Sequence, residues 1–219
     1  MNNHIHPIAS LLAAIGRGIS GVQVRWAGCE PDERQRVYFA NHSSHLDFVV
    51  LWSALPSEIR AKTRPIAAKD YWERTPLRRY LANNVFHAVF LDRGSSGKTK
   101  NPDEPHFVGR HLIDEMADAL GTEHSLILFP EGTRGTGEKV GPFRSGLYHL
   151  GLRRPDVGLV PAYLENLNRI LPKGEFLPVP MLSLLTFGKP LQVEPEEHRD
   201  AFLERAREAV ASLRRIGSA

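Results

Sequence analysis

The sequence predicts an α/β fold: a single layered domain with a central mixed sheet flanked by helices, plus an N-terminal amphipathic helix. Three observations carry this. Short β-rich runs, such as RVYFA at 36–40 and SLILF at 125–129, alternate with stretches whose apolar residues recur every three or four positions. The 219 residues suit one domain, and no internal repeat or long linker divides them. Residues 1–28 contain no Asp or Glu and place Ile5, Ile8, Leu12, Ile15, Ile19 and Val22 on one helical face. The expected organisation is an amphipathic segment over 1–28 followed by a folded domain over 29–219.

In segment 1–28 only Arg17 and Arg25 are fixed charges, and Gly16, Gly18 and Gly21 leave the end of the helix unset. Two readings stay open: a helix packed on the core, or one lying in a membrane interface. Arg36–Ala40 reads as a strand that delivers the chain to Asn41-His42. Leu46–Ala54 reads as a helix, Arg64–Ala68 as a strand and Pro76–Asn83 as a short helix. Val85–Leu91 (VFHAVFL) reads as an apolar strand ending at Asp92-Arg93. Ser95–Pro105 is polar, with Gly and Pro, and is expected to be an exposed, mobile loop. Phe107–Leu120 has helical periodicity, and Ser125–Phe129 is a buried-type strand halted by Pro130 and Gly132. Val157–Leu164 and Met181–Phe187 are further strands. Glu196–Arg215 gathers Phe202, Leu203, Ala206, Val210 and Leu213 on one helical face.

A hydrophobic share of 42% and a charged share of 24% describe a folded chain. The net charge of +3 is too small to argue for nucleic acid, and no zinc-finger or RNP pattern is present. The single cysteine, Cys29, excludes an intramolecular disulfide and a multi-cysteine metal site. It favours a cytoplasmic setting. It is better read as an inert thiol than as a nucleophile, since nothing nearby in sequence would activate it. No run of 18 apolar residues is long enough for a transmembrane helix, and residues 1–28 lack the basic n-region of a secretory signal.

His42 and Asp47 stand just past a predicted strand, where α/β sheets bind ligands. An imidazole oriented by a carboxylate can take a proton from an alcohol, and needs no enzyme nucleophile if the substrate hydroxyl attacks. His45, two residues from Asp47, is an equal candidate on spacing alone. A purely structural His–Asp hydrogen bond is the commoner use of such a pair.

Phe129-Pro130-Glu131-Gly132-Thr133-Arg134 follows a buried strand and opens a Gly-rich stretch to Gly141. Gly132 lets backbone approach a ligand closely, and N–H groups in such turns bind anions. Arg134 offers a planar fork for phosphate and Thr133 a hydroxyl. Arg93 sits at another strand end. Each arginine alone is more often a surface charge or a salt bridge; their common placement at strand ends, beside a third strand ending in His42, makes convergence more plausible.

Together these residues resemble the glycerolipid acyltransferase family, whose best-known members are 1-acylglycerol-3-phosphate acyltransferases. Asn41, His42 and Asp47 match its N-H-x4-D block, which selects His42 over His45. Phe129 to Arg134 match its F-P-E-G-x-[RS] block without departure. Val85–Arg93 and Val160-Pro161-Ala162 fit two weaker blocks, and all four stand in family order between about Arg36 and Lys189.

The resemblance implies acyl transfer from acyl-CoA or acyl carrier protein, as co-substrate, to a glycerol hydroxyl, with no cofactor and no metal. His42 is implied as general base and Asp47 as its orienting partner. Arg93, Glu131, Gly132, Thr133 and Arg134 are implied for the acceptor phosphate, with Glu131 ordering that site, Lys69 ranked below them, and N–H groups near Gly132 offered to the oxyanion. The implied partners are a lysophospholipid acceptor and a membrane surface, with peripheral attachment at its cytoplasmic face. Other lysophospholipid, amino-lipid or glycolipid acceptors stay open. So do a lipid hydrolase, despite the missing Gly-x-Ser-x-Gly elbow, and a non-catalytic lipid-binding module.

Overall fold

The computed structural model describes residues 7–44, 46–68, 72, 74–91, 105–167 and 182–217. His45, Lys69 and Arg93 lie outside them, as does the loop expected over 95–105 apart from Pro105, which begins a helix. Seven strands among the described residues make one sheet. They are β1 (Gln23–Trp26), β2 (Arg36–Ala40), β3 (Thr63–Ala68), β4 (Val89–Leu91), β5 (Ser125–Leu128), β6 (Gly158–Glu165) and β7 (Leu184–Phe187). Their spatial order is β1-β7-β6-β2-β5-β3-β4. From β6 to β4 the neighbours are parallel, whereas β7 runs antiparallel to β6 and carries β1 parallel to itself. The sheet is therefore mixed, as the alternation of strands and helices led one to expect.

Strands buried on both faces must be apolar on both. Along β2, Val37 and Phe39 enter one core layer while Tyr38 and Ala40 enter the other. Helices α1 (Pro7–Ser20), α2 (Asp47–Ala54) and α3 (Ser57–Ala61) cover the Tyr38 face. After α4 (Pro76–Tyr80), a π-helical turn at Leu81–Val85 sends Val85 and Phe86 into that same layer. Helices α5 (Pro105–Leu120), α6 (Gly146–Arg153) and α7 (Arg199–Gly217) cover the Val37 face.

Helix α2 carries the first motif at its start, and charges hold both of its ends. Asp47 lies in its first turn, where the helix dipole favours a carboxylate. At the other end Arg17 Nη1 donates to Ser53 O at 3.2 Å, and the buried Arg60 donates to Leu55 O at 3.1 Å. The Arg60 guanidinium also lies 5.3 Å from the Trp52 ring centre. Burial pulls Arg60 below its ordinary pKa, and the carbonyls and the ring offset that cost.

Three sequence expectations are revised, and one is met at an unusual residue. The strand expected over Val85–Leu91 is confined to Val89–Leu91, because the π turn consumes Val85 and His87 takes φ +48°. Val22 is not on a helix: α1 ends at Ser20 and Gln23–Trp26 joins the sheet edge. As expected for Val157–Leu164, Pro161 lies inside a strand, β6, which continues to Glu165. Its missing N–H falls where β6 passes from β7 to the isolated bridge with Leu191. Finally, the apolar face of α1 divides in two. Ala13, Gly16 and Ser20 are buried, and Gly16 comes close enough to α2 that a Cβ would meet Val49 and Ser53 at 3.2–3.3 Å. Ile15 and Ile19 are instead 45% and 39% exposed, beside Leu11 at 60%. Small residues permit the close helix contact, which leaves Ile8 and Leu12 packed on the core and turns Leu11, Ile15 and Ile19 outward.

Candidate active site

β2 and β5 are adjacent, and the helices following them leave toward opposite faces, α2 over Tyr38 and α6 over Val37. That divergence opens a crevice beyond the C-terminal ends of the two strands, the usual ligand position in open α/β sheets. Both sequence motifs converge there.

Asn41 extends the β2–β6 ladder with its side chain. Its Nδ2 donates to Leu164 O at 3.0 Å and its Oδ1 accepts from Leu164 N–H at 2.8 Å. The amide thus copies a backbone pair, and the chain enters the crevice at a fixed angle. In the next step His42 Nδ1–H donates to Asp47 Oδ2 at 2.8 Å. Asp47 is fully buried, and the same oxygen accepts the Ser43 and Ser44 N–H groups at 2.5 and 2.8 Å. All three donors meet Oδ2, while Oδ1 is buried without a partner among the described residues; with Nδ1 donating to Asp47, Nε2 is the ring nitrogen left to meet a substrate. The ring lies flat on Phe129 (centroids 4.4 Å apart) and its side chain is 23% exposed. Orientation, tautomer and access are those required of a general base.

Glu131 ties the two motifs together. Its Oε1 accepts the His42 N–H at 2.8 Å and its Oε2 accepts the Gly141 N–H at 3.1 Å. The return bond runs from Gly135 N–H to His42 O at 2.8 Å. The far end of the loop is pinned by Arg144 N–H on Pro130 O at 2.9 Å and by Phe143, edge-on to Phe39. Gly132 has φ +72°, and a Cβ there would stand 2.4 Å from Arg144 Nε, so any other residue would be strained and would displace that side chain. Its N–H donates to Phe129 O at 3.0 Å, so this amide is already engaged rather than open to an oxyanion. Thr133 and Arg134 stand exposed on the loop.

Of the residues singled out in the sequence, the structure brings together His42, Asp47, Glu131, Gly132, Thr133 and Arg134. Lys69 and Arg93 follow the ends of β3 and β4 in the chain but lie outside the described residues. Sequence reasoning missed Arg144, whose signal would have been an arginine closing the Gly-rich stretch just before a helix. Phe129 was noted only as part of a motif. Burial raises the Cys29 thiol above its ordinary pKa, which argues against a reactive thiolate. Among the described residues no group of three or more His, Cys, Asp or Glu is placed to hold a metal ion. A cleft of about 630 Å³ opens elsewhere, between Arg36, Gly158 and Lys189. Asp32 matches the arginines of that cleft, Arg34 and Arg36, and no motif residue lines it.

A family model described as Acyltransferase matches residues 22–165, a span that contains both motifs and the crevice between them. The chain belongs to the acyltransferase family. Acyltransferase relatives by sequence include the 1-acyl-sn-glycerol-3-phosphate acyltransferase of Limnanthes douglasii. It is 29% identical over 173 residues, covering 74% of this chain and 53% of the relative. The human 1-acyl-sn-glycerol-3-phosphate acyltransferase alpha is 28% identical over 156 residues, 70% of this chain and 48% of the relative. The chain spans about half the length of the curated relatives it matches. Among solved structures, the 1-acyl-sn-glycerophosphate (LPA) acyltransferase PlsC from Thermotoga maritima aligns with a TM-score of 0.68 at 19% identity. The alignment covers 97% of this chain and 80% of that one, so the acyltransferase fold is shared along nearly all of the chain.

Proposed function

We propose that this chain is an O-acyltransferase that moves a fatty acyl group from acyl-CoA or acyl carrier protein to the hydroxyl of 1-acylglycerol-3-phosphate, forming phosphatidic acid. The observation that carries the reading is the His42–Asp47 pair, in which Nδ1 meets the buried carboxylate and the ring stays 23% exposed. Family membership and the names of the relatives support it. In the proposed step His42 Nε2 takes the acceptor's hydroxyl proton as its oxygen bonds to the thioester carbonyl carbon. Asp47 stabilises the imidazolium that forms. The C–S bond then breaks, and the imidazolium returns its proton to the departing thiolate. Arg134, Thr133, Arg93 and Lys69 are the proposed contacts of the acceptor phosphate.

A lipid acceptor also calls for a membrane surface, and α1 offers one. Leu11, Ile15 and Ile19 are exposed, and Leu182, 69% exposed, joins them: Ser183 next to it donates twice to Ser20 O, at 3.1 and 2.9 Å. Leu184 pairs with Glu165 at the C-terminal end of β6, so this apolar patch shares the sheet edge with His42. Seated in the interface, the patch would let a lysolipid reach the crevice without leaving the bilayer. Among the described residues no helix is long and apolar enough to cross a membrane. Because these side chains project into solvent, Leu11→Gln with Ile15→Gln leaves the fold intact and lowers co-sedimentation with anionic vesicles roughly tenfold or more. Undiminished vesicle binding would remove the patch from the mechanism.

The reading as a whole is tested by a product-resolved assay with lysophosphatidic acid and either acyl-CoA or acyl carrier protein donors. Phosphatidic acid is the expected product. Free fatty acid without acylated product would instead make the chain a hydrolase.

A further inference from the structure

Arg144 lies beyond both motifs, yet its guanidinium sits on the loop that joins them. The Nε donates to the Glu131 main-chain oxygen at 3.4 Å and lies over the α-carbon of Gly132, in the space a Cβ there would take. The Glu131 carboxylate points away from it, its oxygens accepting the N–H groups of His42 and Gly141. Among the described residues the guanidinium makes its hydrogen bond through Nε, which leaves the two terminal nitrogens to a ligand. The side chain is exposed at the crevice, while its backbone N–H is fixed on Pro130 O. It is thus a positioned fork of N–H donors beside the turn that carries Thr133 and Arg134.

We propose that Arg144 is a further phosphate-binding residue of the acceptor site, closing over the Gly132 turn and gripping the substrate's phosphate monoester with its two terminal nitrogens. This rests on the reading that the acceptor carries a phosphate. A guanidinium suits that role because two parallel donors match two phosphate oxygens, and the geometry is set before binding by Gly132 and Glu131. The glycine and the arginine then form one device: a larger residue at 132 would displace the guanidinium that the phosphate needs.

The test compares steady-state kinetics of wild type, Arg144→Ala and Arg144→Lys on lysophosphatidic acid and on the monoacylglycerol of the same acyl chain. For Arg144→Ala the KM for lysophosphatidic acid rises roughly 10- to 100-fold, while the KM for the acyl donor and the rate on monoacylglycerol stay within about threefold. Arg144→Lys keeps the charge but loses the fork, and falls between. If Arg144 only braces the loop, kcat drops equally on both acceptors and the proposal fails. It fails also if the donor KM is the one that rises, because the phosphate bound is then the donor's. A wild type that takes both acceptors equally well refutes the phosphate reading itself. A wild type that prefers lysophosphatidic acid, with Arg144→Ala preferring it as strongly, refutes only the role of Arg144. Should Arg144→Ala lose its helical circular-dichroism signal, Arg144→Lys carries the comparison.

Discussion

Replacing His42 by alanine lowers kcat by a factor on the order of 10² to 10⁴, with little effect on folding. The bonds that organise the crevice use the main chain of residue 42, its N–H to Glu131 and its oxygen from Gly135, and both survive the substitution. The ring is partly exposed above Phe129, so its loss leaves no sealed cavity, and Tm should move by no more than about 4 °C. Asp47→Asn keeps the shape of the buried partner but removes the charge that stabilises the imidazolium, and it lowers kcat on the order of 10²-fold or more. The decisive measurement is the double variant. If the two residues act as a unit, His42→Ala with Asp47→Asn is no slower than His42→Ala alone. Additive losses would mean that Asp47 serves the Ser43–Ser44 turn and not the base, and a His42→Ala enzyme within threefold of wild type would end the mechanism.

The parts of the fold legible in the sequence are those whose physics is local. β2 and β5 are short, apolar on both faces and ended by Asn41 or Pro130, so composition and punctuation sufficed. α7 shows a long, regular apolar stripe, and Phe202, Ala206, Val210 and Leu213 are indeed buried. Other elements were silent for stated reasons. β1 is an exposed edge strand with no inward apolar row, and α6 has only two turns, begins at a glycine and buries little beyond Leu147 and Leu150. VFHAVFL misled because a continuous apolar run reads the same whether it is a strand or a buried turn. In α1 the fully buried residues are the small ones, with Ile8 and Leu12 packed beside them, whereas periodicity put Ile15 and Ile19 on that same face.

The candidate site divides along the same line. Side-chain spacing alone put His42 within reach of Asp47, and left His45 as a rival until the whole motif was considered. The bonds that assemble the crevice run from side chain to backbone over long sequence separations: Asn41 to Leu164, Glu131 to His42, Arg144 to Glu131. Backbone N–H groups are the same in every residue, so nothing in the text of a sequence marks which one a carboxylate will find. Arg144 escaped notice for that reason, and the engagement of the Gly132 amide by Phe129 could not be read either.

Glu131→Gln is expected to cost both stability and rate, through geometry rather than through contact with substrate. Glu131 is 9% exposed, and its two oxygens accept two N–H groups that have no other acceptor, from His42 on β2's extension and from Gly141 across the loop. Glutamine can satisfy one of them; its NH2 then faces the other, donor against donor, in a buried setting. Leaving one buried N–H unsatisfied costs about 2 kcal/mol, which lowers Tm by about 4–8 °C in a chain of this size. Without the tie the loop no longer holds Gly132 to Arg134 against His42. A displacement of roughly 1 Å between base and phosphate site is enough for a 10²-fold loss of kcat/KM. Glu131→Asp does not rescue, since the shorter side chain cannot reach both N–H groups. Thermal unfolding and kinetics of Glu131→Gln separate this from a direct role. A normal Tm with a raised acceptor KM alone would make Glu131 a substrate ligand, whereas a joint fall of Tm and kcat identifies the brace.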